Sequence, residues 1–258
     1  MVQPISAYPD LAGKVAVVTG GSGGIGAATC RLLAANSAKV AINGRDEARI
    51  GAVVDEIRSD GGQAIGVSAD VTDFATIERM RRQVEEEFGP VDVLAAFAAS
   101  GGPPPGPTAQ ITEEEWRSAI DGNLTSTFLT LKSFLPGMVE RRRGSIVTMA
   151  SSAARVLTPA PTAYAAAKAG VVMLSRQVAG EVGEHGVRVN CLAPDSILTE
   201  RIQRYMPEAQ QEQWAAAFPL RRMGTPEDVA LATLFLASDA SSWITGVTLD
   251  VAGGKIML

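Results

Sequence analysis

Cysteine and histidine are nearly absent from this chain of 258 residues. Its two cysteines, Cys30 and Cys191, form no C-x-x-C pair, which excludes a disulfide framework and a thiolate zinc site. A single histidine, His185, excludes a histidine-rich metal centre and makes any Ser-His-Asp triad depend on that one residue. Aromatic residues make up 5% of the chain, so stacking surfaces for single-stranded nucleic acid are scarce. Basic charge is not in excess: 23 Lys and Arg against 28 Asp and Glu leave a formal charge of −5, the wrong sign for a nucleic-acid footprint. No uncharged apolar run reaches the roughly 20 residues of a membrane-crossing helix. Residues 1–10 carry neither the basic nor the apolar region of a signal peptide, so a cytoplasmic location is expected.

What is present is 46% hydrophobic sequence, enough for a substantial core, in a length that suits one domain spanning 1–258. Short β-rich runs at 14–19, 39–43, 63–68, 91–97, 144–150, 187–192 and 247–251 alternate with helical patterns. Those patterns include 26–36, 46–59, 74–88, 113–141 and 163–183. Near-continuous apolar strands separated by helices predict an α/β fold, a doubly wound Rossmann fold with a seven-stranded parallel sheet. The Gly-Pro-rich stretch 101–107 follows a strand and reads as a stiff loop at the carboxyl edge of the sheet, where such folds bind ligands.

The first strand runs into Thr19-Gly20-Gly21-Ser22-Gly23-Gly24-Ile25-Gly26 and then into a helix. This loop fits both G-x-G-x-x-G, through Gly21, Gly23 and Gly26, and T-G-x-x-x-G-x-G, through Thr19, Gly20, Gly24 and Gly26. Glycines there let backbone N–H groups approach a pyrophosphate at the helix start. The second strand ends Asn43-Gly44-Arg45-Asp46. Asp46 has about the right separation to hold a ribose 2′-hydroxyl, but Glu47-Ala48-Arg49-Ile50 behind it favours a helix N-cap. Arg45 then faces the ribose and would pair a 2′-phosphate, which favours NADP, with NAD as the alternative. The glycine loop itself lacks the extra basic residue of many NADP sites, because Gly23 stands there.

Tyr164-Ala-Ala-Ala-Lys168 puts a phenol and an ammonium one turn apart on a helix face. A tyrosine of pKa about 10 exchanges protons poorly at neutral pH, and a nearby ammonium favours its phenolate. Thirteen residues before Tyr164, the strand from Gly144 ends in Ser151-Ser152, at the edge where a substrate carbonyl could accept a hydrogen bond.

These pieces resemble the classical short-chain dehydrogenase/reductases over the whole chain, most of all the bacterial 3-oxoacyl-thioester reductases. The matching residues are the Thr19–Gly26 loop, Asp70-Val71, Asn123 after Trp116, Ser151, Tyr164 with Lys168, and Pro194 with Thr199. Arg222-Met-Gly-Thr-Pro226-Glu-Asp-Val and Thr245-Gly246 through Gly253-Gly254 match as well. The resemblance implies that Tyr164 is the general acid/base and that Ser151 orients the carbonyl. Lys168 would bind the nicotinamide ribose and lower the tyrosine pKa, and Asn123 would hold a water in a relay to Lys168. Gly20, Ser22, Gly24, Ile25, Gly26, Arg45, Asp70, Val71, Ala98, Pro194, Ile197 and Thr199 would contact the cofactor, with Asp70 and Val71 flanking the adenine. No metal is implied. The implied activity is hydride transfer between NADP and a small carbonyl or secondary alcohol, with a 3-oxoacyl thioester one candidate. A homotetramer is implied too, and a weakly basic corner at Arg142 and His185 for an acyl carrier protein.

Two departures stand out. Ala96-Phe97-Ala98-Ala99 occupies the place of the usual N-N-A-G, removing a polar inter-strand tie and crowding the cofactor with a methyl group. This keeps open a catalytically weak dinucleotide-binding protein of regulatory or scaffold type. An NAD-linked epimerase or lyase on the same scaffold would carry a longer C-terminal substrate region. Pro194-Asp195 replaces P-G, and Asp195 reads as a solvent-facing turn residue. His185 and the run Arg141-Arg142-Arg143 read as helix ends, and Cys30 and Cys191 as core. A lid is expected near 196–220, with Ile202, Tyr205, Met206, Trp214 and Phe218 available to line an apolar pocket.

Overall fold

Strand β1 (Val15–Thr19) is buried along its whole length, and its side chains alternate between two cores. Ala16 and Val18 pack on one side of the sheet, Val15 and Val17 on the other. The computed structural model that shows this describes residues 7–257 apart from residues 101 and 103. The remaining strands are β2 (Lys39–Gly44), β3 (Gln63–Ser68), β4 (Val93–Ala96), β5 (Gly144–Met149), β6 (Val187–Pro194) and β7 (Thr248–Val251). They form one sheet of order β3-β2-β1-β4-β5-β6-β7, parallel at every pairing. The expected doubly wound, seven-stranded parallel sheet is therefore present.

Helices cover both faces, as a wholly parallel sheet requires. On the Ala16 face lie α1 (Gly24–Ala35) and α2 (Glu47–Ser59), through Cys30, Leu33, Ile50 and Val53. On the Val17 face lies α3 (Phe74–Phe88), through Ile77, Met80 and Val84. The segment expected as one helix over 113–141 is divided into α4 (Glu113–Ile120), a π-helical turn (Asp121–Thr125) and α5 (Ser126–Glu140). Helix α6 (Thr162–Val182) follows, then α7 (Glu200–Tyr205) and α8 (Glu208–Ala215) in the expected lid. Helix α9 (Pro226–Ala237), absent from the helical patterns read above, completes the Ala16 face through Val229 and Leu234. Its start was legible: Thr225 and Asp228 form a reciprocal capping box ahead of an apolar run.

Strand β4 is shorter than the run 91–97. Beyond Ala96 the backbone turns inward: the Phe97 N–H donates to Ala95 O at 3.1 Å and to Thr19 Oγ1 at 3.0 Å, which ends the ladder. Because β1 lies between β2 and β4, the chain reverses its winding there and a crevice opens at the carboxyl ends of these strands. Among the described residues no helix is long and apolar enough to cross a membrane.

Candidate active site

A cleft of about 620 Å³ lies in that crevice. Of the residues assigned to the cofactor from sequence, Gly20, Ser22, Gly24, Ile25, Gly26, Arg45, Asp70, Val71, Ala98 and Thr199 line it. Pro194 and Ile197 do not. Pro194 ends β6, and buried Ile197 bridges to Gly224, so together they fix the loop that delivers Thr199. Thr199 sits opposite Gly24, where an added Cβ would lie 3.3 Å from its methyl group. The lining also includes Arg49, Ser100, Gly122 and Met149, which the sequence analysis did not single out.

The glycine loop fits a diphosphate. A Cβ at Gly26 would run into the carbonyl oxygen of Gly20, so only glycine lets the first turn of α1 close against the loop. No side chain caps α1, and its first turn has no acidic residue. Its leading N–H groups and positive dipole end are therefore left to an anion. Asp46 is committed elsewhere: it caps α2, accepting from the Arg49 N–H at 3.1 Å. Asp70 accepts from Thr72 N at 2.9 Å and Thr72 Oγ1 at 2.7 Å, and these bonds, with nearby Arg45, hold its carboxyl below the usual range.

Ser151, which like Asn123, Tyr164 and Lys168 is not among the cleft-lining residues, follows β5 in extended conformation and accepts from the Ala153 N–H at 3.3 Å. Tyr164 and Lys168 come from the first turns of α6. Lys168 is buried, its Nζ donates to Met149 O at 2.8 Å, and it lies 5.6 Å from the centre of the Tyr164 ring. Burial lowers the lysine pKa from near 10.5 to about 8. Burial pushes Tyr164 up, opposed by the hydroxyl of Ser151. Lys168, expected to lower the tyrosine pKa, is not among the causes of this shift.

Asn123 lies in the π-helical turn, fully buried. Its Nδ2 donates to Ala119 O at 2.8 Å and to Ser100 Oγ at 3.1 Å, which fixes the amide orientation. Its Oδ1 is buried with no hydrogen-bond partner. Such an orphan acceptor is where an ordered water is needed.

The missing asparagines have a local replacement. Thr19 Oγ1 accepts from both Phe97 N at 3.0 Å and Ala98 N at 3.1 Å, tying β1 to the end of β4. Phe97 is buried in the core, and Ala99 is exposed on the cleft. Asp195 is not solvent-facing, and this corrects the sequence reading: its side chain is 5% exposed. Its Oδ1 accepts from Ser196 N at 2.7 Å, Ser196 Oγ at 2.9 Å and Lys255 Nζ at 3.2 Å, while Oδ2 is buried without a partner. Burial raises its pKa, but Ser152, Ser196 and Lys255 beside it bring the net shift below the usual range. In the lid, Phe218 is buried, whereas Tyr205 is 76% and Trp214 42% exposed, so the five apolar candidates do not form one lined pocket.

The family model described as enoyl-(acyl carrier protein) reductase matches residues 20–255. A 3-oxoacyl-[acyl-carrier-protein] reductase of Chlamydia pneumoniae is 37% identical over 244 residues, covering 95% of this chain and 97% of the relative. The chain belongs to the short-chain dehydrogenase/reductase family. Other members are equally similar with different substrates in their names: a 2,5-dichloro-2,5-cyclohexadiene-1,4-diol dehydrogenase of Sphingobium indicum is 36% identical, covering 95% of this chain and 96% of its own. The solved 3-oxoacyl-[acyl-carrier protein] reductase of Brucella melitensis superposes with a TM-score of 0.91 at 31% identity, over 100% of this chain and 97% of that one. This short-chain dehydrogenase/reductase is thus an oxidoreductase by family, and the named activities of its relatives span reduction and oxidation.

Proposed function

We propose that this protein is an NADP-dependent carbonyl reductase or alcohol dehydrogenase acting on a small-molecule carbonyl or secondary alcohol, with 3-oxoacyl thioesters among the candidate substrates. The observation that carries the reading is the Lys168–Met149 bond: Met149 lines the cleft, and Lys168, one turn after Tyr164 on α6, is tied to it. The cofactor supplies a hydride to the carbonyl carbon, or takes one from the alcohol. Ser151 holds the carbonyl oxygen, and Tyr164, whose pKa burial raises, donates its proton to the oxygen as charge develops there. Lys168 holds the ribose and, through a water on Asn123 Oδ1, returns a proton toward Tyr164. Gly20, Ser22, Gly24, Ile25 and Gly26 hold the diphosphate, Asp70, Val71 and Ala98 the adenosine side, and Thr199, on the loop that Pro194 and Ile197 fix, the nicotinamide side.

Arg45 favours NADP over NAD. It lines the cleft beside Asp70, and Asp46, the one acid at the β2 tip, is engaged as a helix cap. NADPH oxidation against a panel of ketones and 3-oxoacyl thioesters tests the activity. Turnover that disappears in Tyr164→Phe supports it, and tight NADPH binding with no hydride transfer across the panel would instead favour a non-catalytic dinucleotide-binding protein. The Thr19 tie across residues 96–98 weakens the case for an eroded site, since the polar link lost with the asparagines is present in another form.

A homotetramer is the proposed assembly. Phe128 and Met173 are about half exposed on α5 and α6, and Trp243 and Leu249 are exposed around β7, surfaces a symmetric partner would cover. A monomeric mass in light scattering would refute it. Docking of an acyl carrier protein at Arg142 and His185 draws little support: Arg142 Nη2 donates to Glu184 O at 2.5 Å, and the Glu184 carboxylate lies 3.6 Å from His185.

A further inference from the structure

Gly23 is a glycine that the backbone does not require. Its φ of −177° and ψ of 169° are extended geometry open to any residue. The space is the constraint: a Cβ there would lie 3.3 Å from Cζ of Arg49 and would collide with Nη2. The guanidinium of Arg49, from the first turn of α2, therefore lies across the glycine loop at the position where a side chain of residue 23 would stand. Its backbone is anchored there by the Asp46 cap.

Arg45 and Arg49 both line the cleft, as do Ser22 and Gly44. The chain has more carboxylates than cations, and a minority of its described arginines pair with them. Arg31 pairs with Glu56, Arg81 with Glu78 and Glu85, Arg155 with Asp250, and Arg222 with Asp228. Among the described residues neither Arg45 nor Arg49 has a carboxylate within salt-bridge distance. Asp46 is spent on the α2 cap and Asp70 on Thr72. Two guanidinium groups lining one cleft with no salt bridge to either suit a dianionic monoester phosphate, which accepts bidentate hydrogen bonds from them.

We propose that Arg49 supplies the second cation to the cofactor 2′-phosphate, opposite Arg45, and that Gly23 and Arg49 are a matched pair. The basic residue missing from the loop is delivered instead from helix α2, through the opening that glycine leaves. This rests on the NADP reading above, and it makes residue 49 a determinant of cofactor choice.

Binding of NADPH and NADH, followed by fluorescence titration of the wild type, Arg49→Ala, Arg49→Lys and Arg49→Ala/Gly23→Arg, tests it without any substrate. Arg49→Ala is expected to weaken NADPH about tenfold and leave NADH unchanged, the size of one solvent-exposed charge-assisted contact. Arg49→Lys should lose less. The double variant should regain much of the NADPH preference. Adenosine 2′-phosphate against adenosine 5′-phosphate, titrated in parallel, should show the same pattern. A clear NADPH preference that survives Arg49→Ala intact would overturn the role of Arg49 alone. Equal affinity of the wild type for NADPH and NADH would overturn the NADP reading itself. A double variant no better than Arg49→Ala would overturn the matched pair.

Discussion

Asn123 donates from Nδ2 to Ser100 Oγ at 3.1 Å, and the Ser100 N–H donates to the carbonyl of neighbouring Gly122 at 3.1 Å. The loop after β4 and the π-helical turn are thus stitched together at the inner end of the cleft. The second amide hydrogen of Asn123 goes to Ala119 O, so the carboxamide has one orientation and Oδ1 one direction. Ser100→Ala removes one of the two restraints. It should slow single-turnover hydride transfer by a few-fold to about tenfold, the worth of one buried hydrogen bond, with NADPH affinity nearly unchanged. Equal loss of cofactor affinity would mean that Ser100 shapes the cleft rather than positioning Asn123.

Gly122 shows the same contact from the other side. A Cβ on it would lie 2.8 Å from Cβ of Ser100 and would collide with Oγ. Gly122→Ala should therefore push the serine away and destabilise the fold by about 1–3 kcal/mol, the usual cost of overpacking. Combining it with Ser100→Gly should recover part of that loss in urea melts. Strict additivity of the two substitutions would argue that they do not share this contact.

The sheet, its parallel sense and the glycine loop were legible because they are local: apolar runs of strand length, helical spacing between them, and turn chemistry. Tyr164 and Lys168 lie one turn apart on α6 as the spacing predicts, and Ser151 follows β5, while their proposed roles come from the family resemblance. What escaped depends on distant partners. Asp195 is buried by Lys255, 60 positions later in the chain, and by Ser152 from the end of β5, and no window around Pro194 contains either. The division of 113–141 escaped because the flanking Ile120 and Ser126 keep helical φ and ψ, and the wider turn shows in the backbone bond from the Ser126 N–H to Asp121 O. Arg49 looked like an ordinary helix cation because its neighbour in space is Gly23, on a different element.

Asp195 fastens the C-terminal segment to the end of β6. Asp195→Asn keeps an oxygen for the bonds that Oδ1 accepts but removes the charge facing Lys255. It should cost about 1 kcal/mol at neutral pH, given that Lys255 is partly exposed. The folded pKa of Asp195 lies below its ordinary value of 3.8. Its stabilising contribution is therefore complete above 3.8 and is lost as pH falls through the lower, folded value. Denaturant melts of wild type and Asp195→Asn should differ at neutral pH and converge in acid below 3.8. A constant difference over that range would mean that the ion pair contributes nothing and the change acts through packing.

Lys168 gives a slope of the same sign in the alkaline range, but from a group that costs stability while it is charged. Burial lowers its pKa from near 10.5 to about 8, so between those values the unfolded chain holds a proton that the folded protein has released. Stability rises with pH wherever the unfolded state binds more protons, so the cofactor-free protein gains from this group as pH climbs from 8 toward 10.5. The full gain is on the order of 3 kcal/mol. Its neighbours work against it. Tyr164, Cys191 and, elsewhere in the core, Cys30 are acids whose pKa values burial raises, and each costs stability as pH passes its unfolded value. The wild-type profile alone mixes these terms, and the difference between wild type and Lys168→Met isolates the lysine. Lys168→Met should be the more stable protein below pH 8, because it buries no charge, and its advantage should shrink steadily toward pH 10.5. If the difference is flat across that window, the ammonium is solvated by water at the orphan Oδ1 of Asn123 even without cofactor, and Lys168 then enters catalysis already charged.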